Sequence, residues 1–234
     1  MLSKIFYFII YSFIRFKLST FNNRIYFCNT FYIITFIWLE NRPVSQITII
    51  EMEIDKYIPF CEYFIIPYYL WFGYIALTVL TFAFLPDRKD YYRLCLMLGV
   101  GMTIFLFVSY IWPNGLQLRP AQLPRDNFCT DLVRFLQKSD TSTNVFPSIH
   151  CYNSMVANAA IWKNEILNKK KGIKWASLIL STSVLLSTLF LKQHSLMDLL
   201  GAAVMFILFY IPLYLIPQWQ QQKQAKKIVS GKLS

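Results

Sequence analysis

The sequence predicts an all-α membrane protein, a bundle of six transmembrane helices, on three observations. Of its 234 residues, 56% are hydrophobic and only 15% charged, against about 25% charged in an ordinary soluble domain. The apolar residues gather in runs close to the ~20 residues that a helix needs to cross a bilayer core. The net charge of +11 is spread unevenly over the segments that join those runs. Basic residues that flank apolar runs point to a membrane and exclude a nucleic-acid-binding module. Five scattered cysteines without a C-x2-C pair suggest neither a zinc site nor a full disulfide framework.

The elements follow in order. The run 5–14 is too short to span and is flanked by Lys4, Arg15 and Lys17. It reads as an interfacial helix within an N-terminal segment, 1–23. Spans are expected at 25–39, 63–85, 92–112, 146–162, 173–191 and 196–216, the first short and the fourth the most polar. They form a membrane domain over 24–217, and a basic tail occupies 218–234. The one long connection is 113–145. Trp71, Tyr110, Trp112 and Trp219, near span ends, read as interfacial belts.

Six spans put both termini on one side. The segments on that side hold 16 basic and three acidic residues, and the opposite segments hold seven basic and nine acidic. Excess Lys and Arg mark the cytoplasmic side, so the termini are expected there, with the cell membrane as the location. The run Lys169-Lys170-Lys171 is part of that signal.

Both histidines of the chain then fall at the external face. His150 lies in Pro147-Ser148-Ile149-His150 at the entry to the fourth span, and His194 in the turn before the sixth. Asp198, four residues after His194, shares a helix face with it. An Asp on Nδ1 fixes the imidazole tautomer and leaves Nε2 as a nucleophile or base. The plainer reading is an acidic first turn that complements the helix dipole. Pro147-Ser148 reads as a helix start, either an anion site or simple capping. Arg119, in the external loop, has the fork geometry for phosphate oxygens; otherwise it is a solvated loop residue.

At these residues the chain resembles the type 2 phosphatidic acid phosphatase superfamily, whose motifs are K-x6-R-P, P-S-x-H and S-R-x5-H-x3-D. The second is present as Pro147-Ser148-Ile149-His150. Ser187, His194 and Asp198 match the third in spacing, and Arg119-Pro120 matches the end of the first. The resemblance covers about 59–216. Trp112 stands where the first motif has lysine, and Thr188 where the third has arginine. Residues 187–194, with 55–71, are similar to the branch of inositol-phosphoceramide-synthase-like proteins, which tolerates such changes.

The resemblance implies a lipid phosphatase acting on a phosphomonoester or diphosphate. In it His194 attacks phosphorus, Asp198 orients the imidazole, and His150 protonates the leaving group. Arg119, Ser148, Lys192, Ser187 and Arg125 are the expected phosphate ligands, with Lys192 and Arg125 standing in for the missing cations. The resemblance implies no metal and no cofactor. The expected partners are a phosphorylated lipid and the bilayer, and no nucleic acid. The alternatives are a phosphotransferase that uses the same intermediate with an alcohol acceptor, and a non-catalytic membrane protein of the same fold.

Overall fold

The computed structural model describes residue 32, residues 34–44 and residues 46–219. The expected interfacial helix, most of the first expected span and nearly all of the tail lie outside them. The chain is mostly helical, with α1 (Ile65–Phe84), α2 (Arg88–Ile111), α3 (Phe128–Ser139), α4 (Ile149–Lys163), α5 (Lys171–Phe190) and α6 (Leu196–Tyr210). A further helical stretch occupies 34–41. Four helical segments are long and apolar enough to cross a membrane: Glu62–Phe84, Arg88–Ile111, Lys171–Phe190 and Leu196–Trp219. The last continues α6 through a π-helical turn at Ile211–Leu215, where Pro212 lacks the N–H of a regular helical bond.

The expected fourth span is a different kind of element. α4 has 15 residues, about 22 Å at 1.5 Å per residue, short of a ~30 Å hydrocarbon core. It is buried around its circumference, on Tyr152, Asn153, Val156, Ala157 and Ala160 among others, and packs against α1, α2, α5 and α6. That enclosure explains its polarity, because its neighbours rather than lipid face Asn153 and Ser154. The span is therefore better described as a central helix inside a ring of longer ones.

Small residues and internal hydrogen bonds set the packing. Tyr152 fills the space above Gly101, where an added Cβ would come within 2.1 Å of its ring, and donates to the Met97 carbonyl at 2.9 Å. Tyr74 Oη and Ser177 Oγ are 2.7 Å apart, and Ser177 donates to Asn158 Oδ1 at 2.9 Å. This chain of hydrogen bonds joins α1, α5 and α4 within the bundle. α2 begins earlier than hydropathy predicts, at Arg88, because Asp87 caps it by accepting from Lys89 N at 2.8 Å.

The 113–145 connection is not a plain loop. It contains α3, capped by Asn127, whose Oδ1 accepts from Thr130 N at 3.0 Å. Val133 and Leu136 are buried with Ile65, Tyr68 and Leu191, so α3 lies across one end of the bundle. Two-residue strands, β1 (Thr48–Ile49) and β2 (Asn114–Gly115), pair in parallel beside it.

Gly101→Ala is expected to destabilise the protein by about 1–3 kcal/mol through overpacking. Gly99→Ala, with no described atom within 4 Å of its added Cβ, should be neutral or stabilising by up to about 1 kcal/mol. Thermal unfolding in detergent compares them; equal stabilities would refute the close contact between α2 and α4.

Candidate active site

The ends of α1, α2, α4, α5 and α6 converge beneath α3. Cys61 N donates to Phe190 O at 3.0 Å, and Ser148 N to Asp198 O at 3.3 Å. α5 closes on Lys192 in the left-handed conformation, φ 57°, and the Gln193 and His194 N–H groups both donate to Thr188 O at 3.0 Å. His194 is thereby fixed as the residue before the α6 N-cap.

Two acidic groups satisfy the buried start of α6. Asp55, 1% exposed, accepts from Leu196 N at 2.9 Å and from the Ser195 hydroxyl. Ser195 caps Met197 N at 3.1 Å. Asp198, fully buried, accepts from Ser195 N at 2.9 Å and from His194 Nδ1 at 3.1 Å through the same oxygen, Oδ2. Helix capping and imidazole orientation are thus one arrangement rather than alternatives. With its proton on Nδ1, His194 presents the Nε2 lone pair, which lies 3.4 Å from His150 Nδ1. His150, the second residue of α4, is held between Trp71 and Tyr68, with ring centroids 4.3 and 4.8 Å away.

Both histidines line a cavity of about 110 Å³, room for a phosphoryl group and water. Arg119 also lines it. A close backbone pairing brings it there: Leu116 N donates to Ser142 O, and Asn114 Oδ1 accepts from Val145 N and Phe146 N, each at 2.9 Å. A Cβ on Gly115 would meet Ser142 O at 2.8 Å, so only glycine permits this approach. The Arg119 guanidinium donates to Asp140 O at 2.9 Å, Thr141 O at 3.1 Å and Gln193 Oε1 at 2.6 Å, while its buried Nε has no acceptor among the described residues. None of those acceptors is a carboxylate, so the guanidinium, which stays charged in proteins, is not neutralised by them.

The other expected phosphate ligands do not line the cavity. Ser148 is buried as the α4 N-cap, accepting from Cys151 N at 3.4 Å. Ser187 donates to Val184 O at 2.7 Å within its own helix. The left-handed turn at Lys192 sends Nζ to the Asp55 carbonyl, where burial lowers its pKa. Arg125 pairs with Glu62 at 3.1 Å. Trp112 donates to Thr48 Oγ1 at 3.0 Å. The Thr188 hydroxyl donates to Leu185 O at 2.7 Å and touches Cys151 Sγ at 3.5 Å.

Several cavity residues are not identified by the sequence patterns. Trp71, read as an interfacial belt residue, is 5% exposed and forms a wall, because it points inward to His150. Gln193 holds Arg119. Asp140 and Glu40 also line the cavity; burial and then Glu40 raise the Asp140 pKa, opposed by Arg119. Asp55 is a missed support, and its signal is a buried acid in an otherwise exposed turn. Among the described residues no group of three or more His, Cys, Asp or Glu side chains is arranged to hold a metal ion. No protein-family model, curated protein or solved structure matches the chain.

Asp55→Ala would leave two buried donors of the α6 start without their acceptor. It is expected to lower stability by about 3 kcal/mol. Thermal unfolding in detergent measures this, and an unchanged midpoint would remove Asp55 from the support of His194.

Proposed function

We propose that the chain is an integral membrane enzyme that cleaves a lipid phosphoester or diphosphate through a phosphohistidine on His194. The observation that carries this reading is the pairing of His194, tied to Asp198 through Nδ1, with His150 at 3.4 Å from its free Nε2. Arg119 with its orphaned Nε beside them supplies the charge a phosphate oxygen needs. The resemblance to type 2 phosphatidic acid phosphatases, carried by these same residues, agrees with it.

His194 Nε2 forms the bond to phosphorus as the bond to the leaving oxygen breaks. Asp198 stabilises the positive charge that develops on the imidazole. His150, protonated once the phosphate anion is in place, gives its proton to the leaving oxygen and then takes one from the acceptor. Water as acceptor makes the enzyme a phosphatase, the reading the resemblance favours; a lipid alcohol makes it a phosphotransferase. The distribution of basic residues supports an external site in the cell membrane with cytoplasmic termini.

The test is turnover of lipids carrying monoester, diphosphate and diester headgroups, followed by released phosphate or phospho-headgroup. His194→Gln should abolish turnover and the acid-labile ³²P label on protein. His150→Gln should slow turnover by about 10²–10⁴-fold. Activity that survives His194→Gln in folded protein would sink the assignment.

A further inference from the structure

We infer that the cavity selects a zwitterionic phosphodiester, one whose headgroup carries an ammonium group, over an anionic phosphomonoester. This rests on the reading of His194 as the group that meets phosphorus, and it names the substrate class of that site.

The first observation is the charge around the histidines. Among the described residues that line the cavity, Arg119 supplies the one Lys or Arg side chain, against the carboxylates of Glu40 and Asp140. The two cations expected to reinforce it are engaged elsewhere, Lys192 with the Asp55 carbonyl and Arg125 with Glu62. A phosphomonoester carries about −1.5 to −2 charges near neutral pH and would meet one guanidinium and the His150 proton against two acids. A phosphodiester carries a single negative charge for Arg119, and an attached ammonium brings the positive charge that the two acids attract.

Glu40 is prepared for such a partner. Its Oε2 accepts from Thr141 Oγ1 at 2.6 Å and its Oε1 from Asn144 Nδ2 at 3.1 Å. Both donors are neutral, so they orient the carboxylate without cancelling its charge.

The second observation is the wall beside the histidines. Phe36, Tyr68, Trp71, Phe72 and Phe105 line the cavity, and aromatic faces attract ammonium groups through the ring quadrupole. Trp71 is 5% exposed, and among the described residues its Nε1 has no acceptor.

The covalent step then balances without a further reactant. His194 Nε2 bonds to phosphorus, the bond to the lipid alcohol breaks, and the alkoxide takes the His150 proton. The ammonium headgroup stays on phosphorus until water or a second alcohol displaces His194 and returns a proton to His150.

The test compares binding of dodecylphosphocholine and dodecyl phosphate to the full chain in a nonionic detergent, by titration calorimetry at pH 7. Dodecylphosphocholine should bind at least about tenfold more tightly. In Glu40→Gln, in Asp140→Asn and in the double variant, that ratio should fall toward one. Dodecyl phosphate binding as tightly as the zwitterion to the unaltered protein would overturn the inference, as would an unchanged ratio in folded single variants. Binding is separate from chemistry: a clear preference together with turnover that survives His194→Gln would overturn the phosphohistidine reading and leave the headgroup preference standing.

Discussion

The start of α6 is a buried helix N-terminus, and the structure around the site is organised by the need to satisfy its donors. The first N–H groups of any helix lack partners within it, and here protein encloses them. Asp55 takes Leu196 N, Ser195 takes Met197 N, and Asp198 takes Ser195 N. The last of these carboxylates also holds His194. A single solution to a backbone problem therefore sets the tautomer and direction of the imidazole. It also explains the course of residues 52–56, whose short 3-10 turn delivers Asp55 to a helix some 140 residues later in the chain.

The central helix supplies the partner. Because α4 is surrounded by longer helices, its first turn is placed by packing on several sides, and His150 emerges at the level of His194. Gly101 against Tyr152 brings α2 close to that helix, and Ser148 N donating to Asp198 O joins the starts of α4 and α6 directly. The starts of α4 and α6 thus lie side by side, each capped by its own serine, with their positive dipole ends at the level of the two histidines. The α3 layer then separates this volume from the surroundings on its outer side.

The parts legible in sequence are those encoded by local spacing. His194 and Asp198 at i and i+4, Ser148 as a cap, and four long apolar runs all follow from rules acting over a few residues. Long-range placement is not written that way. Lys192 looks like a phosphate ligand by proximity to His194, yet a left-handed turn reverses its direction. Trp71 looks interfacial by its place along a span, yet its helix face points at His150. α3 is hidden because its 12 residues are polar on average, although Asn127 and the spacing of Leu132, Val133 and Leu136 mark an amphipathic helix. α4 reads as a weak span because burial by protein and burial by lipid select similar residues.

The departures from the motif pattern divide along the same line. Residues 194–198 with His150 carry the proposed chemistry, and local geometry holds them together. The charged groups that line the rest of the cavity come from separate segments: Glu40 near the end of the first helical stretch, Arg119 beside β2, Asp140 at the end of α3. Such groups can change without disturbing the imidazoles. At Thr188 the chain has a fully buried hydroxyl packed on Cys151 where the resemblance expects arginine, and at Trp112 an indole bonded to Thr48 replaces lysine. Both replacements remove positive charge while acids remain at the cavity. The orientation of His194 comes from within the helix start and depends on neither position, since its described partners are Asp198 and His150. Neither position lines the cavity, so these two departures leave every described contact that holds the two imidazoles in place.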